Sequence, residues 1–269
     1  MHPLVNIAVS AARRAGEVII KHVNFVHQLT VTEKSQNDFV SEVDRMAEAE
    51  IIGTIRESYP DHAFLGEESG PSGESESVWI IDPLDGTTNF LHGFPMYSVS
   101  IGFQHKGRME QAVIYNPISQ ELFTASRGRG AQLDGRKIRV SNRRGLQGAL
   151  IGTGFPYRAN KQFMREYMRM FRAMAEKTAG IRRCGSAALD LAYVAAGRLD
   201  GFWELGLGPW DMAAGSLIIR EAGGLVADLD GEDTFLDSGN IIAASPKVFT
   251  AILAELRPHI PSQRTTRGQ

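Results

Sequence analysis

The sequence predicts an α+β protein in which residues 1–145 form a part with an antiparallel sheet and residues 146–269 form an α/β part. Three patterns predict this class: helical spacing of apolar residues near the N-terminus, strand-like segments separated by turns over 97–136, and strand–helix alternation over 149–256. No linker, repeat or low-complexity segment separates the parts. We therefore expect one compact unit.

The composition of the 269 residues excludes several classes of protein. The 29 Lys and Arg against 31 Asp and Glu leave a formal net charge of −2, which gives no general attraction to nucleic acid or acidic membranes. A single cysteine, Cys184, excludes a disulfide framework and a cysteine-based zinc site. There is no run of about 18 apolar residues, and Arg13 and Arg14 follow the first apolar positions, unlike a signal peptide. We expect a cytoplasmic protein without membrane partners.

The first part is predicted to open with two helices. Residues 4–23 place apolar side chains on one face at helical spacing. A second helix is predicted from Ser41, because Ser41 and Asp44 fit a capping box, and it ends at Tyr59-Pro60. Residues 24–40 lose the helical period, and the polar stretch 35–38 predicts a loop.

The strands and later helices follow from alternation and turn residues. Residues 63–65 predict a short strand that delivers Glu67 to its end, and 71–77 predicts a surface loop. A meander is expected from Tyr97–Gln104, Gln111–Tyr115 and Glu121–Ala125, with a hairpin turn at 133–136. The second part predicts strands at 149–153, 199–205, 225–228 and 241–244, helices at 160–178, 186–196, 209–222 and 246–256, and a frayed tail from 258.

The chemistry of the chain centres on the stretch from Val78 to Phe90, in which four apolar residues lead into Asp82-Pro83-Leu84-Asp85-Gly86-Thr87-Thr88. Mg²⁺ is usually held by a few carboxylates together with waters and substrate phosphate. Gly86 lets the backbone approach a ligand closely, and successive N–H groups there can hold an anion. The structural alternative is an ordinary turn built on Asp82 and Asp85. Phosphatases with an aspartyl nucleophile usually space their carboxylates two apart, so this spacing of three favours metal-activated water.

Five other acidic residues are ambiguous when each is taken alone. Glu67 and Glu68 are also typical of surface charge. Asp44 completes the predicted capping box of Ser41, Asp211 stands at a helix start where it could be an N-cap, and Glu204 ends a predicted strand. The seven histidines show no metal-ligand spacing, and no His or Cys triad competes for the chemistry. This pattern favours an oxygen-ligated magnesium site over zinc.

Three motifs together resemble the inositol monophosphatase family in order and spacing. They are Gly66-Glu67-Glu68-Ser69, the stretch from Trp79 to Phe90, and Trp210-Asp211-Met212-Ala213-Ala214-Gly215. The resemblance extends over nearly the whole chain, and the segments 2–16 and 185–193 look most like the bacterial SuhB branch. It implies the layered αβαβα sandwich of the sugar-phosphatase superfamily, an active site between the two parts, a homodimer, and hydrolysis of myo-inositol 1-phosphate to inositol and phosphate.

The resemblance also implies roles for individual residues. Glu67, Asp82 and the Leu84 carbonyl would bind a first Mg²⁺. Asp82, Asp85 and Asp211 would bind a second, and Glu67 would help to bind a weaker third ion. Li⁺ would inhibit. The implied catalytic group consists of Asp44, Thr87 and Glu67, with Thr87, hydrogen-bonded to Asp44, orienting and deprotonating the attacking water.

The implied substrate contacts lie on both sides of these carboxylates. The N–H groups of Gly86 and Thr87 would hold the phosphate, and the segment 185–187 with Glu204 would contact the inositol hydroxyls. One of the adjacent Arg182 and Arg183 is a further candidate, and a surface or dimer contact is the alternative for that pair. The full set is Asp85, Gly86, Thr87, Arg182, Gly185, Ser186, Ala187, Glu204 and Asp211.

The sequence departs from the family pattern at one position and leaves a second open. Pro209 stands where animal relatives carry Cys, and Lys34 is the counterpart of a lysine that faces a metal-site glutamate in the family. Relatives act on inositol phosphates, other sugar phosphates and nucleotide 3′-phosphates, so the substrate is open.

A second hypothesis belongs to a different class of function. The bacterial branch that the chain resembles is also associated with antitermination of ribosomal RNA transcription through the Nus factors and RNA polymerase. The arginine-rich segment 127–144 is locally basic and could contact a protein partner or RNA. An ordinary solvated face is the alternative interpretation of that segment.

Overall fold

A computed structural model of the protein describes residues 2–26, 31–35, 38–156 and 163–260. Its helices are α1 (Pro3–His22), α2 (Glu42–Ser58), α3 (Thr87–Leu91), α4 (Met164–Ala175), α5 (Ala187–Ala195), α6 (Pro209–Glu221), α7 (Phe235–Ser238) and α8 (Pro246–Leu256), followed by a 3₁₀ turn at Arg257–His259. Its strands are β1 (Val31–Ser35), β2 (Asp38–Ser41), β3 (Ala63–Gly66), β4 (Gly70–Ser72), β5 (Ser77–Asp85), β6 (Ser98–His105), β7 (Arg108–Asn116), β8 (Glu121–Ser126), β9 (Gly130–Leu133), β10 (Arg136–Lys137), β11 (Leu150–Thr153), β12 (Gly180–Arg182), β13 (Gly201–Glu204), β14 (Leu225–Ala227) and β15 (Ile241–Ala244).

Two sheets form the frame of the fold, beside a β1–β2 hairpin. The larger has eight strands in the order β10-β9-β8-β7-β6-β5-β3-β4, and its neighbours are antiparallel except for β3 and β5. The smaller has the order β12-β11-β13-β15-β14, with β11 parallel to both of its neighbours and the other pairs antiparallel. The prediction of an antiparallel sheet in the first part is therefore wrong for one pair of strands, β3 and β5. β4 runs back along the outside of β3, and the chain then crosses to the other side of β3 to begin β5.

Three hydrophobic cores divide the molecule into five layers. One face of the large sheet, including Trp79 and Ile81, packs on α1 and α2, whereas Ile80 on the other face packs on α5 and α6. The small sheet contributes Phe202 to that middle core and Trp203 to a third core with α4 and α8. Alternate residues of one strand enter different cores because successive side chains point to opposite faces. This arrangement confirms the αβαβα sandwich.

Five of the six predicted helices begin within one residue of the predicted start, α4 begins at Met164, and several short elements were missed. The capping box at Ser41 is formed, since Asp44 Oδ2 accepts from Ser41 N–H at 2.8 Å and Ser41 Oγ accepts from Val43 N–H at 3.2 Å. The missed elements are the β1–β2 hairpin, β4, β12, α3 and α7, which are too short or too polar to carry a clear period. The helix predicted over 160–178 is α4, and the positions 157–162 lie outside the described residues.

Two further expectations concern the ends and the surroundings of the chain. The tail expected to fray falls mostly on 261–269, outside the described residues. Within the described ranges, every helix is too short or too polar to cross a membrane.

Candidate active site

The parallel pairing of β3 with β5 brings the first acidic residues together. Gly66 pairs with Ile81, and the N–H of Glu67 donates to the Ile81 carbonyl at 3.1 Å. Because the carboxyl ends of parallel strands lie at one edge of a sheet, Glu67 lies beside the residue that follows Ile81, which is Asp82. The short strand predicted before Glu67 therefore has the placement that the site needs.

A bulge in β5 orients the two aspartates of the central motif. Asp82 pairs with Ser100 and Asp85 with Ser98, so the pairing register shifts between the aspartates. Residues three apart in a regular strand point to opposite faces, and one additional residue restores the same face. Pro83 has no N–H to give to the β-ladder, which suits it to this irregular position.

Asp211 joins these residues from the N-terminus of α6. It is the third residue of the helix, after Pro209, and its Oδ2 accepts from Gly208 N–H at 2.6 Å. One oxygen each of Asp82, Asp85 and Asp211 lies within 4.8 Å of the others. The three side chains are buried, with relative exposures of 1%, 7% and 5%.

The same carboxylates are also anchored to the backbone. Asp82 Oδ1 accepts from Leu84 N–H at 3.0 Å, and Asp85 Oδ2 accepts from Ala188 N–H at 2.8 Å and from the Ser186 hydroxyl at 2.5 Å. Such bonds fix the direction of a ligating group and are typical of the outer contacts of metal sites.

Burial and mutual repulsion make this cluster electrostatically costly. Burial raises the pKa of Asp82 well above its usual value, and the neighbouring charges of Glu67, Asp85 and Asp211 raise it further. Burial likewise raises the pKa of Asp85 to about 6, although the bonds from Ser186 and Ala188 oppose the rise. A hard divalent cation would remove this repulsion, and a donor set made only of carboxylate and carbonyl oxygens fits Mg²⁺.

Thr87 and Asp44 form a pair next to the cluster. The Thr87 hydroxyl lies 2.7 Å from Asp44 Oδ1 and 3.1 Å from the Leu84 carbonyl. Asp44 is 1% exposed, and burial raises its pKa despite hydrogen bonds from Ser41 and Thr87. A buried carboxylate with a raised pKa is suited to accept a proton through a neighbouring hydroxyl.

Gly86 makes the tight turn between β5 and α3. Its φ of +97° lies in the left-handed region, and a Cβ there would stand 2.8 Å from the Met96 carbonyl and 3.2 Å from the Gly185 carbonyl. Glycine therefore fits both the conformation and the space. The turn places Gly86 and Thr87 in the lining of the same pocket as Asp85 and Asp211.

This pocket gathers most of the residues that were predicted to contact a substrate. Arg183 is among the described lining residues, whereas Arg182 is not; Arg182 ends the edge strand β12, where its Nη1 donates to the Ile181 carbonyl at 3.1 Å. The side chain of Lys34 lies outside the described part of the chain. The lining comprises Asp85, Gly86, Thr87, Thr88, Thr153, Gly154, Phe155, Pro156, Arg183, Gly185, Ser186, Ala187, Glu204, Leu205, Gly206, Leu207 and Asp211.

Sequence reasoning missed two residues that shape the substrate side. A Cβ on Gly154 would stand 1.8 Å from Glu204 Oε1, so only glycine leaves room for that carboxylate. Asn89 Nδ2 donates to the carbonyls of Met96 at 2.6 Å and Cys184 at 2.8 Å, which ties the loop after α3 to the loop before α5. The available sequence signals were the glycine directly after the strand predicted at 149–153 and the place of Asn89 within the Trp79–Phe90 motif.

Glu204 is a strongly perturbed carboxyl group on that side. Burial raises its pKa well above the usual value, and the charges of Asp190 and Asp211 raise it further, whereas Arg183 opposes the rise. A carboxyl group in this setting is able to hydrogen-bond alcohol groups of a ligand as acceptor or donor.

The basic segment 127–144 is partly used inside the protein. Arg127 Nε donates to the Met109 carbonyl at 2.6 Å, and Arg143 Nε donates to Asp200 Oδ2 at 3.0 Å. Arg129, Arg136, Arg139, Arg143 and Arg144 are nevertheless exposed. Most of the arginines of this segment therefore lie at the surface, and one of these exposed residues, Arg143, pairs with Asp200.

The fold and the acidic cluster define a metal-dependent phosphatase, and sequence comparison gives the family. The profile of the inositol monophosphatase family matches residues 1–262, and the chain belongs to that family. A Nus factor SuhB of Pseudomonas aeruginosa is 54% identical over 266 residues, which cover 97% of this chain and 98% of that protein. The resemblance predicted from the motifs is thus confirmed.

Solved structures agree with this assignment. The native extragenic suppressor protein suhB of Bartonella henselae has a TM-score of 0.93 at 44% identity, covering 95% of this chain and 99% of that one. An inositol monophosphatase of Anabaena has a TM-score of 0.82 at 36% identity, covering 95% of both chains. Both structures therefore share the fold over almost its whole extent.

Proposed function

We propose that the protein is a Mg²⁺-dependent phosphatase that hydrolyses inositol monophosphate, converting myo-inositol 1-phosphate and water to inositol and phosphate. The observation that carries the proposal is the convergence of Asp82, Asp85 and Asp211 within 4.8 Å, beside the hydrogen-bonded pair of Thr87 and Asp44. The solved inositol monophosphatase of Anabaena supports the choice of substrate.

In this proposal the acidic residues hold two to three Mg²⁺ ions. Glu67, Asp82, the Leu84 carbonyl, Asp85 and Asp211 would be the protein ligands. Bound Mg²⁺ supplies positive charge for the phosphate oxygens and lowers the pKa of water. The hydrogen bonds from Leu84, Ala188 and Gly208 keep one oxygen of each aspartate fixed, so little reorganisation is needed on binding.

The protein's own proton path runs through Thr87. As water attacks phosphorus, a proton passes from the water to Thr87 Oγ1 while the hydroxyl proton of Thr87 passes to Asp44 Oδ1, 2.7 Å away. A new P–O bond forms to the water oxygen, the bond to the sugar oxygen breaks, and the released alkoxide takes a proton from solvent. Catalysis of this kind depends on positioning and charge more than on covalent chemistry with the protein.

Substrate recognition is proposed to be divided between two sides of the pocket. The N–H groups of Gly86 and Thr87 hold the phosphate, and Ser186 with its neighbours Gly185 and Ala187 contacts the ring hydroxyls. Glu204 binds a hydroxyl opposite them. Of the two adjacent arginines we now favour Arg183 over Arg182, because Arg183 lines the pocket.

A substrate panel tests this function. Inositol 1-phosphate, other sugar phosphates, sugar bisphosphates and nucleotide 3′-phosphates are compared by phosphate release with and without Mg²⁺. We expect Mg²⁺-dependent release that is fastest with inositol 1-phosphate, abolished by a chelator and inhibited by Li⁺. Faster release from another phosphate would assign the chain to a related sugar or nucleotide phosphatase, and no release from any of them would overturn the proposal.

We propose a second role in transcription antitermination as a Nus factor that binds the RNA polymerase complex. The observation that favours it is the 54% identity to a protein named Nus factor SuhB. The exposed Arg136, Arg139 and Arg144 are candidates for a contact with RNA. Purified chain and its Asp82→Asn variant are each tested for capture of RNA polymerase and Nus proteins; we expect equal capture, and no capture by either would reject this role.

We further propose that the protein is a homodimer in which residues 1–145 and 146–269 of each chain fold as one unit. The pocket supports the single unit, because its lining draws on both parts, and the homodimer is what the family resemblance implies. Light scattering after size exclusion should give twice the 29.5 kDa chain mass, and thermal unfolding should show one transition. A monomer mass or two separate transitions would contradict the corresponding statement.

A further inference from the structure

Helix α2 presents a second carboxylate to the active-site region, one turn after Asp44. Glu48 lies four positions along the helix, on the same face, and is 3% exposed. Burial of a carboxylate is costly unless hydrogen bonds compensate it. The partners of Glu48 therefore indicate what the residue does.

Those partners are two successive backbone N–H groups of the turn that carries Glu67. Glu48 Oε2 accepts from Glu68 N–H at 2.9 Å, and Glu48 Oε1 accepts from Ser69 N–H at 2.8 Å. The turn joins β3 to β4, whose residues Gly66 and Gly70 are paired. Consecutive N–H groups that converge on one anion make a strong and directional contact.

The turn is thus held on two sides. The N–H of Glu67 itself donates to the Ile81 carbonyl at 3.1 Å, and the next two N–H groups donate to Glu48. Gly66 makes the close approach possible, since a Cβ there would stand 2.4 Å from Glu48 Oε2. The glycine and Glu48 therefore depend on each other.

We propose that Glu48 is a positioning residue that fixes the backbone of Glu67 toward the acidic cluster and so sets the affinity for the divalent cation. The inference rests on the proposed function only for the role of Glu67 as a metal ligand. Glu48 acts through the turn and does not touch substrate or metal. Outer contacts of this kind typically change metal affinity by about 10- to 100-fold when they are removed.

The test replaces Glu48 by glutamine, which keeps the size but puts an NH₂ group where one of the two N–H donors needs an acceptor. Free and bound Mn²⁺ are counted by electron paramagnetic resonance, and the Mg²⁺ concentration for half-maximal phosphate release is measured separately. We expect both the Mn²⁺ dissociation constant and that Mg²⁺ concentration to rise about tenfold, with kcat at saturating Mg²⁺ within about threefold of the unsubstituted protein.

A matched control lies on the same helix. Glu50→Gln removes a half-buried carboxylate that pairs with Arg14 at 3.5 Å, away from the turn that carries Glu67, and we expect it to leave both metal measurements unchanged. Gly66→Ala attacks the same contact from the other side, because its methyl group meets Glu48 Oε2. It should reproduce the loss of affinity seen for Glu48→Gln.

The outcomes separate this inference from the function itself. Unchanged Mn²⁺ and Mg²⁺ affinity in a folded Glu48→Gln protein would overturn the positioning role. Loss of folding in both Glu48→Gln and Gly66→Ala would also overturn it, because the contact would then be purely structural. Metal binding by the unsubstituted protein without phosphatase activity would reject the proposed function and leave the Glu48 inference to be decided by the Mn²⁺ titration.

Discussion

The Thr87 hydroxyl lies 2.7 Å from one oxygen of Asp44, while the other oxygen of that carboxylate accepts the N–H of Ser41 at 2.8 Å. Asp44 therefore caps α2 and contacts Thr87 at the same time. The helix cap fixes the carboxylate, and the fixed carboxylate in turn orients the hydroxyl. A single residue thus links the start of α2 to the centre of the proposed chemistry.

Removing that hydroxyl should reduce turnover strongly. Thr87→Val keeps the shape of the side chain but removes the proposed proton path, and we expect kcat to fall roughly 10²- to 10⁴-fold. The free energy of unfolding should fall by about 1–3 kcal/mol, because buried Asp44 loses a donor. Steady-state kinetics and urea unfolding measure the two effects. Thr250→Val, at an exposed position of α8, is the matched control. A kcat of Thr87→Val within threefold of the parent value would argue against the proton path.

Asp82→Asn should have opposite effects on activity and on metal-free stability. Burial and three neighbouring carboxylates raise the pKa of Asp82, so its ionised form destabilises the metal-free protein near neutral pH. The amide keeps an acceptor for Leu84 N–H without the charge. We expect Mg²⁺-dependent hydrolysis to be abolished and the metal-free Tm to rise by about 2 °C or more.

Thermal unfolding with a chelator and with Mg²⁺ checks that expectation. The Tm of the parent protein should rise when Mg²⁺ is added, and the Tm of the Asp82→Asn protein should rise much less. Asp230→Asn, which removes an exposed carboxylate outside the cluster, should behave like the parent in both conditions. Undiminished hydrolysis by Asp82→Asn would remove Asp82 from the proposed ligands.

The capping residues explain why part of the site was readable from sequence and part was not. Asp44 and Asp211 each fit a helix cap, and the sequence alone leaves capping and function as alternatives for both residues. In the structure the caps of both residues use Oδ2, which leaves the second oxygen for a different contact. The position of an aspartate in the first turn of a helix predicts its capping hydrogen bond. The contact of its second oxygen depends on which other element packs against that helix end.

Pairing between strands that are distant in the sequence also could not be predicted. The spacing of Asp82 and Asp85 was visible, but the bulge that turns both to one side appears only when β6 is paired with β5. Likewise, Gly154 and Glu204 lie fifty positions apart, and their contact arises because β11 and β13 are neighbours in the small sheet. The alternation of apolar and polar residues predicts a strand but does not predict which strand pairs with it.

His62 should make stability depend on pH. Its ring stacks on Tyr59 and Phe103, with centroids 4.9 and 5.4 Å away, and its Nδ1 accepts from Trp79 Nε1 at 3.0 Å. Burial lowers the pKa of His62; the charge of Asp61 opposes this, and His105 adds to it. The unfolded chain then binds the proton more readily, so the stabilisation is complete above about pH 6.5 and is lost as the pH falls.

The measurement compares the parent with His62→Gln, which retains an acceptor for Trp79 but does not titrate. Urea unfolding is followed between about pH 7.5 and about pH 5.5. We expect the stability advantage of the parent to shrink by a few tenths of a kcal/mol over this range, a small value because His62 is only half-buried. A difference that does not change with pH would contradict the role of His62.

Gly154→Ala should affect the KM for the substrate more than it affects kcat. A methyl group at this position would stand 1.8 Å from Glu204 Oε1, so the Glu204 carboxylate must move from its place in the pocket lining. Glu204 is proposed to bind a hydroxyl of the substrate but takes no part in the proton path of Thr87 and Asp44. We therefore expect KM for inositol 1-phosphate to rise about tenfold or more, which corresponds to about 1.4 kcal/mol of lost binding, while kcat changes much less. Gly145→Ala, where the methyl group meets no atom within 4 Å, is the matched control. Equal KM values for the two variants would show that Glu204 does not bind the substrate.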